Sequence, residues 1–215
     1  MVDKRMGLLV TGFDRAAVAA DEFDAWYDSE QIPEHNRVMG VVNCERWVGV
    51  ADSNISIATY DLDSLAVLQS AAYRAIADAN LSPWSQRVMA KCQHICRFEA
   101  EALTPGDVEP IPGAGGLMMF AMNVAPEAEA DFNDWYNQEH VPSLAAVPGC
   151  IRARRFRIVN AVSEGRQRYL AVYHLESPDV CSSEPWKKAI ETPWTHRIRP
   201  HQRDRLRIVL RRYTR

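Results

Sequence analysis

Apolar positions along this chain change period several times, and the changes occur in the same order twice. A short apolar run at Gly7-Leu8-Leu9-Val10 is matched by one at Gly116-Leu117-Met118-Met119. Runs this short predict strands. Phe23, Trp26 and Tyr27 then recur at i, i+3 and i+4, and Phe132, Trp135 and Tyr136 repeat the pattern 109 positions later. That spacing predicts a single apolar stripe on a helix. Pro33 and Pro142 are expected to end or kink these helices, because proline disrupts the preceding turn. Gly40 and Gly149 mark turns into strands. In the later of these strands Cys150, Arg152, Arg154 and Phe156 share one face, and Ile151, Ala153, Arg155 and Arg157 the other.

Hairpins come next. Residues 51–54 (ADSN) form the first turn and 160–167 (NAVSEGRQ) the second. Tyr60-Asp61-Leu62 matches Tyr173-His174-Leu175 at an offset of 113, so four extra residues fall in the second hairpin. A helix over about 64–79 and a helical turn from Ser82-Pro83-Trp84 follow, the latter matched by Thr192-Pro193-Trp194. Ser or Thr before Pro is an N-cap and first-turn signature. A last strand at about 91–101 matches 203–213. The string is β-α-β-β-α-β, read twice, which predicts an α+β chain of two ferredoxin-like repeats. Repeat 1 is expected at 1–102, a Pro/Gly-rich linker at 103–114 and repeat 2 at 115–215. Their sheets are expected to pack face to face.

The string F-x-x-W-Y-x-x-E-H-x-P-x-L-x-x-V-P-G, complete in Phe132–Gly149, resembles the EthD-like branch of the dimeric α+β barrel superfamily, here as a fused tandem pair. The resemblance implies an intramolecular dimeric α+β barrel with a ligand pocket between helices and sheet in each half. Its activities range over isomerases, cyclases, decarboxylase-like enzymes, cofactor-free monooxygenases and haem proteins, so fold does not fix function.

Charge changes the picture little. The net charge of −3 divides into −7 for residues 1–108 and +4 for residues 109–215. The arginines at the C-terminal end alternate with apolar residues, as in Arg205-Leu206-Arg207-Ile208. That is a strand face, expected to pair with the acidic half or a second subunit rather than with nucleic acid. No apolar run approaches the ~20 residues that span a bilayer, no signal peptide is evident, and five unpaired cysteines suit a reducing compartment. The expectation is a cytoplasmic protein without membrane partners, with room for a homodimer.

Candidate chemistry lies where the halves differ. His140, His174 and His196 stand against Gln31, Asp61 and Gln86, while His35 stands against Leu144. Histidine titrates near neutrality and is the usual general acid or base. The leading expectation is a cofactor-independent lyase, isomerase or cyclase acting on a small aromatic or polyketide-like carbonyl compound. His140, His174 and His196 would act with Tyr136 and Glu139, and Arg154 would hold a substrate carboxylate. Trp194, like its counterpart Trp84, is expected at the pocket mouth or in the helix–sheet core, and Tyr27 and Glu30 are expected among the substrate-binding residues. His35 with Arg37 is the rival acid–base and anion-binding pair. Glu30 and Glu139, retained in both halves, could instead tie the helix end to Arg46 and Arg155. Three histidines could also hold Zn²⁺ or Fe²⁺, and a histidine could ligate haem. A binding protein without turnover is the remaining alternative. No P-loop, GxGxxG, HExxH or nucleophile elbow occurs.

Overall fold

The computed structural model describes residues 5–103 and 113–214; most of the expected linker, 104–112, lies outside them. The first half runs β1 (Gly7–Asp14), α1 (Ala20–Trp26), α2 (Ile32–Asn36), β2 (Val41–Gly49), β3 (Ile55–Leu62), α3 (Ala71–Arg74), α4 (Pro83–Met89) and β4 (Gln93–Ala102). The second half repeats the order with β5 (Gly116–Val124), α5 (Glu129–Trp135), α6 (Val141–Ala145), β6 (Cys150–Ser163), β7 (Tyr169–Leu175), α7 (Glu184–Ile190), α8 (Pro193–Ile198) and β8 (Gln202–Arg212).

All eight strands pair antiparallel and close into one barrel, in the order β1-β3-β2-β8-β5-β7-β6-β4. The two sheets therefore join edge to edge, which leaves no long unpaired rim at the β4–β6 junction. The apolar alternation explains the layers. Leu8, Val10, Trp47, Ile57, Phe98, Leu117, Phe156, Leu170 and Leu210 fill the lumen. Their neighbours along each strand, such as Leu9, Tyr60, Met118 and Tyr173, face the helices outside. One expected face is corrected. A register shift between Cys150 and Arg152 turns Cys150 outward to the helix side and leaves Ile151 against the lumen, as a bulge re-aims side chains.

Neither proline ends its helix. Each follows a π-turn, Tyr27–Gln31 or Tyr136–His140, and the helix continues beyond it. In the first, the Ile32 N–H reaches the Tyr27 carbonyl, one residue further than in an α-helix. The wider turn accommodates a position where proline has no N–H to donate. The expected helix over 64–79 is broken: Leu65–Gln69 is a 3₁₀ turn, and α3 restarts at Ser70, whose hydroxyl accepts from the Tyr73 N–H.

The two junctions between halves are unequal. At one, Cys96–Ala102 of β4 lies along Ser163–Phe156 of β6. At the other the ladder is shorter: Trp47–Gly49 of β2 meets Arg212–Leu210 of β8, flanked by hydrogen bonds from the Val50 N–H to the Val209 carbonyl and from the Tyr213 N–H to the Arg46 carbonyl. The hairpin lengths cause this. β6 runs on to Ser163, whereas β2 stops at Gly49. The short junction ends in a cavity of about 580 Å³ lined by Val50, Ile55, Ile95 and Leu206 among others.

The charge imbalance has a structural counterpart inside the barrel. Arg154 Nη1 lies 2.7 Å from Asp61 Oδ1 across the lumen, both side chains almost fully buried. Arg212 donates to Glu45 at 2.8 Å. In both pairs the acid comes from the first half and the base from the second. No described helix is long and apolar enough to cross a membrane.

Candidate active site

The first half carries a cavity of about 310 Å³ between its helices and its sheet. The helix α1–α2 is pinned over it. Ser85, near the start of α4, accepts from Trp26 Nε1 at 2.9 Å and from Gln31 Nε2 at 3.0 Å. Glu30 accepts from the Ser82 hydroxyl at 2.6 Å and from the Ser85 hydroxyl. The π-turn thus faces Tyr27 and Gln31 inward, and His35 follows one turn later, buried.

His35 is held on three sides. Its Nδ1 is 2.7 Å from the Gln31 carbonyl oxygen. A carbonyl can only accept, so Nδ1 carries the proton. In the neutral ring Nε2 is then a free acceptor, on a side chain that lines the cavity. Tyr60 stacks against the imidazole with centroids 4.4 Å apart, and Tyr73 meets it edge-on at 5.8 Å. Burial lowers the pKa of His35; the Gln31 carbonyl opposes that shift and Arg97 adds to it. The ring is neutral, and basic, at pH 7.

Arg97 and Tyr73 supply the polar wall. Arg97 Nη2 donates to the Tyr73 hydroxyl at 3.3 Å, and Nη1 pairs with Glu99. Leu9, Phe13, Ile76, Ala77 and Met89 form apolar walls. His94, exposed, packs its ring 4.7 Å from Phe13 at the cavity edge. A cation, a phenol and a neutral imidazole therefore converge on an apolar space near the lower end of the ~300–1,000 Å³ typical of small-molecule sites.

The second half fills the corresponding space. Leu144 replaces His35 and is fully buried, and Trp186, 2% exposed, packs edge-on to Tyr173 where Tyr73 stands near Tyr60. His140 lies with its ring 4.1 Å from that of Trp135, and its Nδ1 is buried without a partner. Burial, reinforced by Arg155 and Arg199, lowers its pKa to about 3. None of the described cavities is lined by His140.

The sequence-derived candidates are dispersed. His174 faces the lumen on β7, with burial and Arg154, Arg152 and Arg212 lowering its pKa to about 3. His196 is exposed, 3.0 Å from Glu191. The carboxylate that Arg154 meets is that of Asp61. Trp194 Nε1 donates to Asp131 at 2.9 Å. Arg37 is exposed and is not among the cavity-lining residues. Tyr27 is buried under Arg46, and desolvation pushes its pKa up to about 12 although Thr11 and Arg46 pull it down. Tyr136 is raised likewise and sits under Arg155.

Glu139 accepts from Thr192, as Glu30 does from Ser82. This corrects the expected tie to arginine: both glutamates hold the N-cap of the neighbouring helix, while Arg46 pairs with Asp24 and Arg155 with Asn133 and Asn137. Sequence reasoning missed Tyr73 and Arg97. Tyr73 was detectable as the counterpart of Trp186, 113 positions on; Arg97 had no signal beyond strand alternation.

His140 lines none of the described cavities, and the described cavity at His35, about 310 Å³, is smaller than a haem. Among the described residues no group of three or more His, Cys, Asp or Glu could hold a metal ion.

No curated protein matches the chain by sequence. A family model described as a domain of unknown function (DUF4286) matches residues 117–183. Solved structures match along nearly the whole chain. An anthrone oxidase-like protein is 14% identical, with a TM-score of 0.67, covering 99% of this chain and 93% of its own. A protein from Fusobacterium nucleatum, provisionally named a monooxygenase, is 12% identical at a TM-score of 0.62, covering 99% and 94%. A chlorite dismutase variant from Candidatus Nitrospira defluvii is 10% identical at 0.61, covering 97% and 92%. Identity this low speaks for the fold alone, and the fold of this chain is that of the dimeric α+β barrel proteins.

Proposed function

We propose that this protein is an acid–base enzyme that removes a proton next to the carbonyl of a small, mostly apolar, fused-ring compound, and that the site is the first-half cavity. On this reading the chain is a tandem duplication of an EthD-like unit in which one half is catalytic and the other is scaffold. The observation that carries it is His35: Nδ1 is fixed on a carbonyl, and Nε2 is left as a base on an apolar cavity.

The chemistry is simple. His35 Nε2 takes the proton from carbon. The electron pair moves onto the substrate carbonyl oxygen, where the Arg97 guanidinium and the Tyr73 hydroxyl stabilise the enolate. Return of the proton to another carbon gives isomerisation; attack by the carbanion on a second carbonyl, whose π pair moves to its oxygen and takes the proton back from His35, gives cyclisation. Burial keeps His35 neutral, so the base is ready at neutral pH.

Exchange of the methylene protons of anthrone in D₂O buffer, followed by proton NMR, tests this. The wild-type protein accelerates exchange, and His35→Gln reduces that acceleration about 100-fold or more. Equal exchange rates for the two proteins would refute the assignment.

A further inference from the structure

We propose that the first-half site is completed by the second half, and that Val162 sets the size of ligand admitted. This rests on the first-half cavity being the ligand site.

Three observations converge on Val162. It lines that cavity although it belongs to β6. It is 56% exposed, one of few large apolar side chains left so open. It lies directly opposite Arg97 in the β4–β6 ladder, so it stands beside the cationic group of the site.

The longer second hairpin puts it there. β6 extends to Ser163 and keeps Val162 paired within the β4–β6 ladder, opposite Arg97 and one residue from the ladder's end. The segment is firmly held: Ser163 Oγ donates to Gln167 Oε1 at 2.6 Å, Gln167 Nε2 donates to the Asp204 carbonyl at 2.8 Å, and Asn123 Nδ2 donates to the Gly165 carbonyl at 2.9 Å. An exposed valine on a fixed strand is a wall, not a mobile flap. The opposite hairpin turns back at residues 50–54 and gives the second half no such wall.

Fluorescence titration of the full chain with 2-naphthol and anthrone tests this. Val162→Ala should strengthen anthrone binding relative to 2-naphthol, and Val162→Trp should weaken anthrone about tenfold or more with little change for 2-naphthol. Because the side chain is exposed, both variants should unfold at the wild-type temperature. Tyr73→Trp, which copies the filled second half, is the control for the cavity itself and should abolish binding of both probes. If it does so while the Val162 variants keep the wild-type anthrone-to-naphthol ratio, the gating role fails and the cavity stands. If the wild type binds neither probe, or Tyr73→Trp changes nothing, the cavity reading fails and the gating role with it.

Discussion

The buried pair Asp61–Arg154 links the two halves across the lumen, and its removal should show how much that link contributes. Arg154 is 1% exposed and Asp61 1%. Their contact at 2.7 Å is ionic without being a well-directed hydrogen bond, because Asp61 Oδ1 and Arg154 Nε and Nη2 all remain without hydrogen-bond partners. Burial raises the pKa of Asp61 despite the pull of Arg154, so desolvation is incompletely offset by attraction. Asp61→Asn leaves a buried guanidinium uncompensated and should cost about 3–5 kcal/mol. An unfolding entropy of ~2.1 cal/mol/K per residue gives ~0.45 kcal/mol/K for a chain of this length, so Tm should fall by about 7–11 °C. The double variant Asp61→Leu with Arg154→Met removes both charges and should recover to within ~1 kcal/mol of wild type, or exceed it. Chemical and thermal denaturation of wild type, Asp61→Leu, Arg154→Met and the double variant completes the cycle, with Asp61→Asn as the isosteric comparison. A double variant as unstable as the sum of the single ones would refute the argument that each charge is tolerated only because of the other.

Other predictions concern acid stability and turns. His140 and His174 have pKa values lowered to about 3 from an ordinary value near 6.5. The folded state therefore resists protonating them, and stability present above pH ~6.5 should be lost as pH falls toward 3. His140→Phe, which keeps a ring against Trp135, should move the acid-unfolding midpoint to lower pH; an unchanged midpoint would count against burial as the cause. Gly40 has φ +92° and a Cβ there would lie 2.5 Å from Val67 Cγ2; Gly149 has φ +85° and would meet Val180 Cγ2 at 2.7 Å. Gly40→Ala and Gly149→Ala should each cost about 1–3 kcal/mol in urea unfolding. The exchange activity, if His35 is the base, should be flat through neutral pH and fall only below the usual histidine range, since burial lowers that pKa.

The repeated element order was legible because each element announces itself locally. The Phe-x-x-Trp-Tyr stripe, the Gly40 and Gly149 turns and the Ser/Thr-Pro caps all depend on residues close in sequence. The edge-to-edge closure was not, because pairing of β4 with β6 joins segments about sixty residues apart without any local signal. The site divided in the same way. His35 was visible as a polar residue opposite Leu144, but its carbonyl partner Gln31 ends a π-turn that sequence periodicity cannot express. The three histidines of the second half carry no sequence signal of where they sit relative to one another, and His140, His174 and His196 lie respectively in the helix layer, the lumen and solvent. A residue on the lumen face of a strand and one on a helix outside the barrel lie in different layers, whatever their alignment between the halves suggests.

The four extra residues of the second hairpin tie these asymmetries together. A longer β6 gives one junction a full ladder along β4 and carries Val162 to the first-half cavity. A shorter first hairpin leaves the other junction at Trp47–Gly49 and offers nothing to cover the second half. With no covering strand, an open apolar pocket there would be solvent-exposed, and exposed apolar surface is unfavourable in water. Trp186 and Leu144 occupy that space with side chains, while the first half keeps Tyr73 and His35 under the reach of β6. The longer hairpin thus goes with the half whose cavity is walled by Val162, and the shorter one with the half where Leu144 and Trp186 fill the matching space.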